Sequence, residues 1–120
     1  MIKKTFKANI YQQSEGALTL NQFENELGTI TDSVRERSGK YILTIPNAFE
    51  GMVDFFCPQN KQLFNVVGMS ENSFILDVQI ISNSEIQIST FDQLLNYWED
   101  NIGYIPLTLE CYFPDFLPTE

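Results

Sequence analysis

The chain contains no histidine at all. That removes Ser-His-Asp and Cys-His catalysis and every histidine-based metal site. It has only two cysteines, Cys57 and Cys111, too few for a structural zinc site by themselves. No Gly-rich phosphate loop, Gly-x-Ser-x-Gly elbow or EF-hand pattern occurs. No lysine or arginine follows Lys61. No apolar run approaches the ~20 residues of a membrane span. The basic start, Met1-Ile-Lys-Lys, is interrupted by Asn9, Gln12 and Gln13 before any signal-peptide core can form. The expectation is therefore no enzyme, no cofactor, no metal and no membrane partner.

A chain of 120 residues is expected to be one domain, and at that size it can bury enough surface for a single core. Its net charge is −9, and the distribution is uneven. Lys3, Lys4, Lys7, Arg35, Arg37, Lys40 and Lys61 are balanced by the acids that precede residue 62, so the whole net charge lies in the second half. Such a chain is poorly suited to phosphate backbones, which need basic residues. It would repel a second acidic surface and attract a basic partner. The simpler reading of the acids is a solvated face.

What is present is alternation. The segment from Arg35 to Phe49 organises the rest: Tyr41, Leu43 and Ile45 alternate with Ile42 and Thr44, between the Ser38-Gly39 turn and Pro46-Asn47. Phe6, Ala8 and Ile10 mark a strand over 3–11, and 29–37 is a weaker strand candidate. Val53, Phe55 and Cys57 are set against Met52, Asp54 and Phe56, and 63–69 is an apolar run of strand length. Residues 70–72 read as a turn. Phe74, Leu76, Val78 and Ile80 form the clearest strand, returning through 85–89. Leu107, Leu109, Cys111 and Phe113 form the last.

Two short helices are also expected. Thr19 and Gln22 form a capping-box pattern before Leu20, Phe23 and Leu27, which predicts a helix over 20–27 ended by Gly28. Thr90 and Gln93 repeat the pattern, and Phe91, Trp98 and Ile102 predict a helix over 90–102 ended by Gly103. The sum is a mainly β fold, an antiparallel β-sandwich or jelly roll of seven to eight strands with two short helices.

Candidate sites are sparse. Cys57 and Cys111 are read as inward-facing thiols, with a disulfide as the other possibility. Asp77, Glu99 and Asp100 are the carboxylates a glycosidase would need, and Glu99, Asp100 and Asn101 could hold calcium, but a solvated helix end accounts for them as simply. Glu24 and Glu26 read as solvated. The interface candidates are Tyr97, Trp98, Tyr112, Phe116 and Leu117. Of each neighbouring pair, Tyr97/Trp98 and Tyr112/Phe113, one should face inward and the other be exposed or covered by a partner; an exposed aromatic is a common interface anchor, and core packing is the simpler reading.

Several blocks carry a resemblance: Ile10-Tyr-Gln-Gln-Ser14, Ala17-Leu-Thr19, Phe23-Glu-Asn-Glu-Leu-Gly28, Ser38-Gly-Lys-Tyr-Ile-Leu-Thr44 and Ile105-Pro-Leu-Thr-Leu-Glu-Cys-Tyr-Phe113. Together they resemble a small family of β-rich structural proteins from tailed phages and prophages of Bacteroidetes, including crAss-like phages. Glu26 stands where the family usually has threonine, and Phe91–Ile102 looks like an insertion in a connection that is usually short. The resemblance implies a virion structural protein, made in the bacterial host cytoplasm. It would belong to a head fibre, tail fibre or capsid decoration and bind other virion proteins as a homodimer or homotrimer. It supplies no catalytic residue. The alternative is a carbohydrate-binding module, with Tyr97, Trp98 and Tyr112 as a stacking platform for a glycan.

Overall fold

The computed structural model describes residues 1–12, 16–66, 69–92, 97–98 and 103–115, with side chains described outside 65–73 and 91–104. The fold is a β-sandwich of two antiparallel sheets. Sheet A contains β1 (Ile2–Gln12), β2 (Thr19–Asn25), β5 (Asp54–Phe56) and β10 (Gly103–Phe113), in the order β2-β1-β10-β5. Sheet B contains β3 (Asp32–Arg37), β4 (Lys40–Thr44), β6 (Leu63–Val66), β7 (Met69–Ile80) and β8 (Glu85–Asp92), in the order β3-β4-β8-β7-β6. A two-residue strand, β9 (Tyr97–Trp98), pairs with β8.

The alternation read from the sequence sets the core. Phe6, Ala8 and Ile10 of β1 face Tyr41 and Leu43 of β4, Leu76 and Val78 of β7, and Ile86 and Ile88 of β8 as parts of one buried cluster. Ile105, Leu107, Leu109, Cys111 and Phe113 of β10 complete it. Each fully buried aliphatic side chain contributes roughly 1.5–3 kcal/mol relative to exposure, so the twelve largest dominate stability.

Among the described residues neither predicted helix is found. Residues 19–25 instead pair with β1 from Tyr11↔Thr19 to Phe6↔Asn25. A two-turn helix is marginal without tertiary support, whereas the open edge of β1 offers a full ladder of backbone partners. The bulge beside Lys7 and Ala8 leaves Phe23 64% exposed, so the apparent stripe of Leu20, Phe23 and Leu27 is not one face. Gly28 is needed for another reason than a helix end. Its φ of 124° is open to glycine, and it follows a turn in which Asn25 Oδ1 accepts from Leu27 N–H (2.9 Å) and Gly28 N–H (3.1 Å).

Of the second predicted helix, 90–92 and 97–98 are strand instead, and 93–96 and 99–102 lie outside the described residues. Phe74, Ile75 and Leu76 align with Asp92, Phe91 and Thr90, and Trp98 returns opposite Phe91. Thr90 is fully buried, and its N–H donates to Gly39 C=O at 2.8 Å. A capping-box pattern is also a plausible strand sequence when Thr and Phe lead it. The turn expected at 70–72 lies inside β7. Among the described residues there are ten strands, the two-residue β9 included, where seven to eight were expected.

Candidate interaction surface

The surface with the most features lies along the β5 margin. β10 pairs β5 over three positions, Glu110↔Phe56, Cys111↔Phe55 and Tyr112↔Asp54. Alternation then assigns faces. Cys111 is fully buried and Phe55 packs against the core, while Tyr112, Glu110, Asp54 and Phe56 share the outer face. Phe56 is 55% exposed and Val53, at the strand's approach, 54%. Tyr112 Oη donates to Glu110 Oε1 at 2.9 Å. That bond is the main cause holding the phenol above its ordinary range; desolvation and the negative charges of Glu110 and Asp54 add to it. Asp54 Oδ1 accepts the Phe55 N–H at 2.9 Å, and no ion pair reaches it among the described residues.

Around the edge of β5 the margin opens into a cleft of about 540 Å³ between the two sheets. Met52, Val53 and Phe55 form one wall, and Val78 and Ile80 of β7 the other. Lys61 and Asp77 bridge the cleft's end. Asp77 Oδ1 is closed to water and its partner is the Lys61 ammonium, 2.8 Å away, while Gln79 Nε2 donates to Oδ2 at 3.2 Å. That contact satisfies the oxygen as an ion pair. Asn60 and Gln59 fix the turn before β6. Asn60 Oδ1 accepts Val78 N–H and Gln59 Oε1 accepts Thr108 N–H, each at 2.9 Å. Two side-chain amides thus bind the turn to both sheets.

The sequence-derived candidates separate. Tyr112 is on the outer face of sheet A as described. Tyr97 and Trp98 lie in β9 of sheet B, so Tyr112 shares no sheet face with them. Phe116 and Leu117 lie outside the described residues, as do Glu99, Asp100 and Asn101. Asp77 is committed to Lys61. Glu24 meets Lys7 at 3.9 Å, and Glu26 Oε1 accepts Thr5 N–H at 2.7 Å. Among the described residues no three His, Cys, Asp or Glu side chains converge. The basic residues also divide: Lys3, Lys4 and Lys7 belong to β1 of sheet A, and Arg35 and Arg37 to β3 of sheet B.

Cys57 and Cys111 are both free and buried. Burial pushes the Cys57 thiol up, against backbone hydrogen bonds at Gln59, Asn60 and Thr108 that lower it. Burial alone pushes Cys111 up to about 11. Both are poor nucleophiles in this state.

Phe56 and Val53 were missed as surface residues of interest because their exposure depends on β5 being three residues long. The available signal was the Asp54/Phe56 alternation, which sets an aromatic on the same face as a carboxylate.

No protein-family model, curated protein or solved structure matches the chain.

Proposed function

We propose that the chain is a non-enzymatic virion structural protein, a component of a head fibre, tail fibre or capsid decoration that works through protein–protein contacts. One observation carries the reading: an exposed margin on a strand-built scaffold, where Phe56, Val53 and Tyr112 sit beside Asp54 and Glu110. Aromatic groups held on a rigid strand, with charge around them, are typical anchors of protein interfaces. The resemblance to phage structural proteins supports the same role. Other virion proteins are the partners, and a homodimer or homotrimer is the expected state, since virion components assemble with closed symmetry.

Mass spectrometry of purified phage particles tests this. Presence of the chain in particles at a fixed copy ratio is the expected result. Presence in infected cells with absence from particles would sink it.

Carbohydrate binding is the second reading. It has less support, because the platform of Tyr97, Trp98 and Tyr112 divides between two sheets. Tyr112 and Phe56 share a face and are the groups a glycan would use. Glycan-array binding that survives Trp98→Ala and is lost in Tyr112→Ala would promote it over the assembly role.

A further inference from the structure

Among the described residues, strand β7 is covered along only part of one edge. The hairpin bond from Ile81 N–H to Glu85 C=O, 3.0 Å, sets the odd residues of β7 to bond β8. The N–H and C=O groups of Phe74, Leu76, Val78 and Ile80 therefore point the other way. Phe74 meets Phe64 of β6. Leu76 N–H donates to Gln62 C=O at 3.1 Å, and Leu76 C=O accepts Lys61 N–H at 2.6 Å. Val78 N–H is taken by Asn60 Oδ1. Beyond that point the chain opposite β7 has turned away. Among the described residues no hydrogen bond reaches Val78 C=O, Ile80 N–H or Ile80 C=O.

Val78 and Ile80, which carry these three groups, line the cleft whose far wall is Met52, Val53 and Phe55. The open run from Val78 to Ile80 is about 10 Å long, enough for about three residues of an added strand. Unpaired strand edges are templates for another chain, and main-chain bonds give affinity there while alternate side chains enter flanking pockets. The charge of the rim narrows the occupant. The charged groups lining the cleft are Asp54, Lys61 and Asp77; Lys61 and Asp77 pair with each other at 2.8 Å, which leaves Asp54 as the lining charge with no ion-pair partner among the described residues, with Glu110 diagonal to it on the β10–β5 ladder and a chain charge of −9. A second copy would bring the same acids against themselves, whereas a lysine or arginine would be attracted.

We propose that the β7 edge at Val78–Ile80 is a strand-addition site for an extended basic segment of a partner protein. One apolar side chain of that segment enters the cleft beside Met52 and Phe55, and a flanking cation meets Asp54. This stands on the edge and cleft alone, so it succeeds or fails independently of the virion role.

The test uses the full chain and the peptide acetyl-Lys-Val-Lys-Val-Lys-amide. Binding is followed by nuclear magnetic resonance shifts and by exchange of the Ile80 amide. Slowing of that amide by about tenfold is expected, with shifts centred on residues 77–81. The Glu-for-Lys peptide should bind about tenfold more weakly, and Asp54→Lys should invert that preference, since like charges in an interface are penalised. A peptide N-methylated at its central residue should fail to bind, because it cannot join the ladder. Four results would overturn the proposal: no slowing at millimolar peptide, shifts centred on Phe56 and Tyr112 instead, undiminished binding of the N-methylated peptide, or equal binding of the acidic one. A dimeric chain whose Ile80 amide is already protected without peptide also overturns it, since a second copy would then occupy the edge.

Discussion

The two flanks of β10 meet very different neighbours. On one side β1 pairs with it over eleven positions, from Ile2↔Phe113 to Gln12↔Gly103. On the other, β5 pairs over three. The strand is the same, and so is its alternation, yet one flank is closed and the other opens onto a cleft. Position along β10 matters less than what lies beside it. Alternation turns Leu107, Leu109 and Cys111 inward and Tyr112 outward, and the flanks differ in that β5 covers only Glu110 to Tyr112 while β1 covers the whole strand. An interaction surface here comes from the ladder ending early.

The closed flank carries the largest expected effect. Leu107→Ala should cost about 2–5 kcal/mol, the range for a large-to-small change in a packed core, read as a fall in the urea midpoint at unchanged slope. A loss under about 1 kcal/mol would mean that the centre of β10 is no better packed than its margin.

Gly28→Ala is the next largest. A methyl group would meet Ile45 Cγ2 at 3.6 Å, an ordinary contact, so space is not the difficulty. The φ of 124° is, and the substitution should cost more than about 1 kcal/mol. Thermal unfolding of the variant measures it, and an unchanged midpoint would refute the strained turn.

A smaller effect follows from Cys111. Its thiol is held neutral by burial, with a folded-state value near 11 against an ordinary 9.0. A group raised in the folded state contributes stability that is fully present below its unfolded value and is lost as pH rises through the folded one. The loss should therefore run from 9.0 to about 11. Cys111→Val should flatten that part of the profile relative to the parent chain. Identical profiles over this window would show that the thiol is not desolvated.

The smallest change in stability belongs to the open side. Phe56→Ser should alter it by no more than about 0.5 kcal/mol, since the ring is more than half exposed. It should nonetheless weaken assembly, seen as a lower sedimenting mass at matched concentration. A large stability loss with no change in mass would assign Phe56 to packing instead.

Much of the sandwich was legible because strand faces repeat every two residues. Phe6/Ala8/Ile10, Tyr41/Leu43/Ile45, Phe74/Leu76/Val78 and Leu107/Leu109/Cys111 all turn inward as their spacing predicts. The two expected helices misled for a common reason. Thr19–Gln22 and Thr90–Gln93 satisfy a local capping pattern, but each segment lies beside a strand edge with unpaired backbone groups. A short helix closes few bonds of its own, and a ladder closes more. The exposed aromatics were only half legible. Alternation set Phe56 opposite Phe55 and Cys57, but nothing local shows how far β5 extends.

By itself, then, the sequence determined which side chains face inward along each strand, that histidine chemistry is unavailable, and that the second half of the chain is acidic. Those are properties of residue type and of near neighbours. Strand order, the pairing of 19–25 with β1 and of 86–92 with β7, and the part of the β7 edge left unpaired among the described residues were decided by tertiary structure. Each depends on which backbone groups lie across from one another, and the residues that supply them are far apart in the chain: Gln59 reaches Thr108, and Asn60 reaches Val78. Backbone hydrogen bonding is indifferent to side-chain identity, so residue type alone does not say where a ladder stops.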